Sequence, residues 1–89
     1  MDIVSQRLIR RLTKVLPLWP DELLCDTPDE RQVLLSRVFF AIIEERKRGR
    51  DTSERGQHWA YSLPRHAELF CIYEDMREHF RDLDARAAA

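Results

Sequence analysis

Apolar and polar positions between about residues 2 and 16 follow the spacing of an amphipathic helix. On a helical wheel the apolar side chains fall within one arc, and four cations fall on the opposite side. The apolar positions are Val4, Leu8, Ile9, Leu12, Val15 and Leu16, and the cations, which we call the basic stripe, are Arg7, Arg10, Arg11 and Lys14. Pro17 ends this predicted helix, and a short helical turn is predicted near residues 20–25.

A second helix is predicted over residues 28–48. Thr27 can cap it, Pro28 suits the first helical position, and Glu30 completes a Thr-x-x-Glu capping box. At the other end, a run of cations followed by Gly49 predicts a left-handed cap.

The second helix is apolar around most of its circumference. Ser36 and Arg37 are the only polar residues between positions 33 and 43, so we expect this helix to be the central element of the fold. The predicted core positions are Leu34, Val38, Phe39 and Ile42.

A third helix is predicted over residues 63–85, because large apolar side chains recur there at steps of three and four. This seam consists of Leu69, Tyr73, Met76, Phe80 and Leu83, broadened by Phe70 and Ile72. The opposite face carries Glu68, Glu74, Asp75, Glu78 and Asp82, with Cys71 among them. No segment alternates like a strand, so residues 1–89 are predicted to form one all-α domain: a compact bundle of three main helices with an aromatic-bearing connector over residues 49–61.

Composition narrows the classes of function. The chain has 89 residues and a net charge of −1, and 44% of its residues are hydrophobic and 35% charged, as in a soluble globular protein. No apolar run is long enough to span a bilayer or to act as a secretion signal, so we expect a cytoplasmic protein. The two cysteines, Cys25 and Cys71, are expected to be reduced and not bonded to each other.

The connector carries the first candidate site. Trp59 and Tyr61 are large enough to cover Phe40 and Val33 on the second helix, which is the structural interpretation. Alternatively, they stand exposed and anchor a partner, as aromatic side chains do in many interfaces. Catalysis by His58 has little support, because no nucleophile or orienting carboxylate is evident beside it.

No set of metal ligands or cofactor-binding residues emerges from the spacing. The three histidines form no His-x-x-x-His or Glu-x-x-His pair. Asp75 and His79 lie four residues apart, and we expect a local hydrogen bond or ion pair between them. We therefore expect no metal, no cofactor and no enzymatic activity.

The basic stripe has three interpretations. It can be simply the solvent-exposed side of the first helix, or it can pair with the acidic residues that follow that helix. Alternatively, it can bind phosphates, an acidic protein or anionic lipid. The acidic residues in question are Asp21, Glu22, Asp26, Asp29 and Glu30. A nucleic-acid partner is disfavoured, since the net charge is close to zero and no recognition motif is present.

The sequence therefore favours a small non-enzymatic protein-interaction module: an adaptor, a regulator or a stoichiometric inhibitor of a larger protein, with a homodimer as one form of association. The alternative is a nucleic-acid-binding regulator that uses the basic stripe. The partner-binding candidates are Arg7, Arg10, Arg11, Lys14, Phe40, Trp59 and Tyr61.

Overall fold

The computed structural model describes the backbone of residues 1–55 and 63–88 and the side chains of residues 1–48 and 63–88. Three α-helices follow one another: α1 (Ile3–Val15), α2 (Pro28–Arg55) and α3 (Leu63–Ala88). A 3₁₀ turn (Pro20–Leu23) lies between α1 and α2. Every regular element within these described ranges is helical, which confirms the predicted all-α bundle.

The helix starts follow from local capping. The Asp2 carboxylate accepts a hydrogen bond from the Ser5 backbone N–H at 3.0 Å and caps α1. The predicted capping box of α2 is also confirmed: the Glu30 N–H donates to the Thr27 hydroxyl at 3.1 Å, and the Glu30 carboxylate accepts from the Thr27 N–H at 3.0 Å. Each contact satisfies a backbone donor that the first helical turn leaves unpaired.

The predicted end of α2 at residue 48 is wrong, because the helix continues through Gly49 to Arg55. A glycine inside a helix costs only about 1 kcal/mol relative to alanine, so it does not by itself stop a helix. The preceding cation also has another partner: Arg48 donates to the buried Glu45 on its own helix at 2.6 Å. The first part of the predicted connector thus belongs to α2, and its remainder, residues 56–61, lies outside the described residues.

The hydrophobic core lies where α3 packs against both α1 and α2. This arrangement corrects the expectation that α2 is central, since α3 is the helix that both others share. The buried apolar residues are Leu8, Leu12, Cys25, Leu34, Val38, Ala41, Ile42, Leu69, Ile72, Met76 and Phe80. Three of the four predicted α2 core positions are among them.

The fourth predicted core position, Phe39, is 46% exposed, so its assignment to the core was wrong. Leu34 and Val38 point at the core, whereas Phe39 lies on the flank of α2, at the edge of its contact with α3. There its ring centroid is 5.8 Å from that of Tyr73. The apolar arc of α2 is wider than the surface that its neighbour α3 covers.

Polar side chains add cross-links between the helices. The largely buried Arg31 of α2 donates to Asp84 of α3 at 2.6 Å and to the Cys25 carbonyl at 3.2 Å. At the other end of the same pair of helices, Glu45 accepts from Arg65 at 2.6 Å. These two contacts bracket the apolar contact between α2 and α3. None of the described helices is both long and apolar enough to cross a bilayer.

Candidate protein-interaction surface

The side of α2 that points away from the core carries large apolar residues. We call Val33, Ser36, Phe40 and Ile43 the outward face of α2; they lie opposite Leu34 and Val38 on the helix. Val33 is 67% exposed and Phe40 is 59% exposed. Water-exposed side chains of this size on one helix face are typical of a surface that another molecule covers.

An open groove borders the outward face where α2 meets α3. It has a volume of about 440 Å³ and is lined by Gln32, Leu35, Ser36, Phe39, Phe40, Tyr73 and Arg77. The Phe39 and Phe40 rings meet edge to face, with centroids 6.4 Å apart. A smaller cavity of about 240 Å³ continues the groove past Arg77 to Arg81 and Asp84. The groove thus combines three aromatic side chains with polar ones, among them the cation Arg77 of α3.

Trp19 adds a further exposed aromatic side chain. It precedes the 3₁₀ turn, and its backbone N–H donates to Glu22 of that turn at 2.8 Å. Glu22 also lies 3.9 Å from Arg37 of α2, which holds the turn against α2. The side chain of Trp19 remains 76% exposed.

The predicted partner residues fall into three groups. Phe40 is exposed, as a partner-binding role requires. Arg7, Arg10 and Lys14 are also exposed. Trp59 and Tyr61, like His58, lie outside the described residues, so the choice between covering the core and anchoring a partner stays a prediction.

Arg11, the remaining member of the basic stripe, is engaged inside the molecule. Its guanidinium donates to Asp75 at 2.8 Å and to Glu68 at 3.2 Å, both on α3. The hydrogen bond that Arg11 donates to the Asp75 carboxylate raises the pKa of Arg11. Its partners therefore come from α3 and not from the acidic segment after α1, and the stripe available to a ligand is reduced to three cations.

A cluster that the sequence did not suggest joins α1 to α3. His79 Nε2 lies 2.7 Å from the Asp2 carboxylate and 3.2 Å from the Ser5 hydroxyl. Ser5 in turn donates to the Asp2 carboxylate at 2.5 Å. Burial opposes ionisation of Asp2, but the bonds from the Ser5 hydroxyl and N–H and from His79 hold the pKa of Asp2 well below its usual range.

This cluster has the composition of a Ser-His-Asp triad but not its geometry. In a triad the carboxylate and the hydroxyl contact different nitrogens of the imidazole. Here both contact Nε2, which must carry a hydrogen to bond an ionised carboxylate. Since Nε2 then has no lone pair to accept the Ser5 proton, the arrangement caps α1 and does not activate Ser5.

The same contacts correct the expected pairing of Asp75 with His79. Although the two are four residues apart on α3, Asp75 bonds Arg11 and His79 bonds Asp2. Each side chain reaches across to α1, because that helix packs along this flank of α3. In the described part of the chain, no group of three or more histidine, cysteine or carboxylate side chains could hold a metal ion.

The two thiols differ in environment. Cys71 is exposed on the back of α3, as predicted, and neither cysteine is in a disulfide. Cys25 is buried, and burial together with the nearby carboxylates of Asp26 and Asp2 raises its pKa.

A second apolar patch lies on α3. Phe70 was expected to broaden the core seam, but it is 52% exposed and borders a shallow cavity of about 320 Å³ with Leu63, His66, Ala67 and Cys71. This patch offers one large aromatic ring, whereas the surface on α2 offers two beside a larger groove.

Comparisons of the chain with protein-family models, with curated proteins and with solved structures gave no match. The assignment of a function therefore rests on the residues of this chain and their geometry.

Proposed function

We propose that this chain is a small non-enzymatic protein-interaction module, an adaptor, regulator or stoichiometric inhibitor, that binds through the outward face of α2 and the adjoining groove. The observation that carries the proposal is the exposure of Val33, Phe39 and Phe40 together on one helix, beside a groove of about 440 Å³. Exposed aromatic residues beside a groove that also offers polar side chains are frequent anchors of a protein interface.

The shape and chemistry of the groove favour a helical partner segment. Amphipathic helices bind by placing apolar side chains in a groove between two helices. Arg77 in the lining supplies a donor that can orient such a segment, while Phe39 and Tyr73 supply aromatic surface for its apolar side chains. Both cysteines are free thiols, which suits the reducing cytoplasm, and we assign the protein to that compartment as part of the proposal.

A matched pair of substitutions tests the choice of surface. Phe40→Ser and Phe70→Ser each remove one exposed phenylalanine, from α2 and from α3 respectively. We expect affinity capture from the source organism, quantified against wild type, to lose its partners with Phe40→Ser and to keep them with Phe70→Ser. Equal retention by both variants, with both folded by circular dichroism, would contradict the proposal.

The alternative function, a nucleic-acid-binding regulator, draws on the exposed cations Arg7, Arg10 and Lys14. Within the described residues no carboxylate pairs with these three side chains, so their charges are available to phosphates. A gel shift titrated with salt tests this function, since binding through phosphates weakens steeply as salt rises. Specific binding that is lost in Arg7→Ala/Arg10→Ala would favour this function over protein interaction.

A further inference from the structure

We infer that the outward face of α2 pairs with the same face of a second copy of this chain, in an antiparallel arrangement centred at the level of residue 38. This inference rests on the proposed function and names the partner of the same surface. It follows from three features of α2: the spacing of the positions on its outward face, the sizes of the side chains there, and the charges at the two ends.

The outward face continues at both ends with the spacing of a two-helix coiled coil. Adding Asp29 before it and Lys47 after it gives positions 29, 33, 36, 40, 43 and 47, which are separated by four and three residues in turn. Alternating steps of four and three keep one seam facing a partner helix. The seam is about 27 Å long at 1.5 Å per residue.

An antiparallel two-fold pairing brings residues of complementary size together. When the two-fold axis passes at the level of residue 38, Ser36 lies opposite Phe40 of the second copy. Val33 then lies opposite Ile43 of the second copy. A small side chain thus faces the largest one, and two aliphatic side chains face each other, so large and small residues interdigitate. Phe39 lies beside the axis and meets its own counterpart.

The charged residues at the two ends of the seam favour the antiparallel orientation over the parallel one. In the antiparallel pair Asp29 lies opposite Lys47 of the second copy at both ends of the seam. In a parallel pair each would face its own copy, and like charges would repel. Both side chains are exposed, and within the described residues neither forms an ion pair. Arg37 comes near its own copy beside the axis, but its charge is offset by Glu22 at 3.9 Å.

A contact between two helices of this length lies at the small end of specific interfaces, so we expect a dissociation constant of about 10 to 100 µM. Sedimentation equilibrium over a range of concentrations measures it. Asp29→Lys and Lys47→Asp should each weaken the dimer about tenfold, because each places like charges at both ends. The double variant Asp29→Lys/Lys47→Asp should restore the wild-type constant to within about threefold, because the pairs reform with exchanged signs.

Crosslinking gives a second measurement that does not depend on the charged ends. In a Cys71→Ser background, Val33→Cys and Ile43→Cys variants should form a disulfide-linked dimer when mixed and oxidised. Either variant alone should remain largely uncrosslinked. A parallel pair would instead crosslink each variant to itself.

The outcomes separate this inference from the proposed function. A wild-type protein that is monomeric at about 1 mM overturns self-pairing and leaves the Phe40→Ser capture experiment to decide the proposed function. A dimer that the double charge exchange does not restore, or that crosslinks only within single variants, overturns the antiparallel register. In that case the outward face can still be an interaction surface.

Discussion

The Asp2 carboxylate makes three contacts: two cap the first turn of α1, and one ties it to α3. It accepts from the Ser5 N–H and hydroxyl and lies 2.7 Å from His79. These contacts favour the ionised form and hold the pKa of Asp2 below its usual range, against the effect of burial. Such a group stabilises the fold above its unfolded pKa of about 4, and the stabilisation is lost as pH falls toward the folded pKa.

Replacing Asp2 with alanine should therefore destabilise the protein in a pH-dependent way. We expect Asp2→Ala to lower the free energy of unfolding by about 1 kcal/mol at pH 5, as the loss of a helix N-cap typically does. Urea unfolding at pH 5 and at pH 2.5 should show the gap to wild type narrowing at the lower pH. Asp2→Asn, which keeps a capping oxygen, is the control that separates the cap from the charge. A gap that is the same at both pH values would contradict the account of this carboxylate.

The two cysteines should react at very different rates. Cys71 is exposed, whereas Cys25 is buried and its pKa is raised. We expect a maleimide to label the native protein once, at Cys71, and a second time only after denaturation, because the thiolate is the reactive form. Cys71→Ser should take up no label while folded. Rapid double labelling of the native wild type would mean that the region around Cys25 is open.

At the scale of the helix, α2 uses one side for folding and leaves another exposed. Leu34 is buried in the contact with α3, while Phe39 is half exposed on its edge. Leu34→Ala should lower the free energy of unfolding by about 2 to 5 kcal/mol, and Phe39→Ala by about 1 kcal/mol, although phenylalanine is the larger side chain. Urea midpoints of the two variants test this ranking. Equal losses would show that Phe39 also belongs to the core.

Helix starts could be predicted from the sequence because capping is local. Thr27 and Glu30 lie three residues apart and satisfy each other whatever the rest of the chain does. The end of α2 could not be predicted in the same way. Gly49 permits a cap but does not impose one, and the helix continues past it to Arg55. A boundary signal of this kind is weaker than a capping box.

Which side of a helix faces the core, and which polar side chains bond across the fold, depend on how the helices pack. A local sequence pattern does not contain that information. The apolar arc of α2 included Phe39 because periodicity gives the width of an apolar face, not the width of the neighbour that covers it. The contacts of Arg31 with Asp84 and of His79 with Asp2 join residues far apart in sequence. The exposure of Phe40 was anticipated as one alternative, whereas the groove beside it was not, since Tyr73 and Arg77 reach it from α3.

For the whole molecule, the arrangement of the three helices explains why one face of α2 is left exposed. α3 lies between the other two helices in the core and uses both flanks, with Arg11 bonded on the α1 side and Phe39 packed near Tyr73 on the α2 side. α2 has no described neighbour on its far side apart from the 3₁₀ turn near Arg37. A chain of this size has a small core, and the apolar residues of α2 exceed what that core can bury.

Photo-crosslinking from within the outward face of α2 tests whether this surface binds another protein chain. A benzophenone amino acid placed at position 40, and in a matched variant at position 70, is activated in cells of the source organism, and crosslinked products are quantified for both. We predict discrete crosslinked species from position 40, either a dimer of this chain or an adduct with a larger protein, and few from position 70. Crosslinking from position 40 no greater than from position 70 would show that this face does not bind another chain.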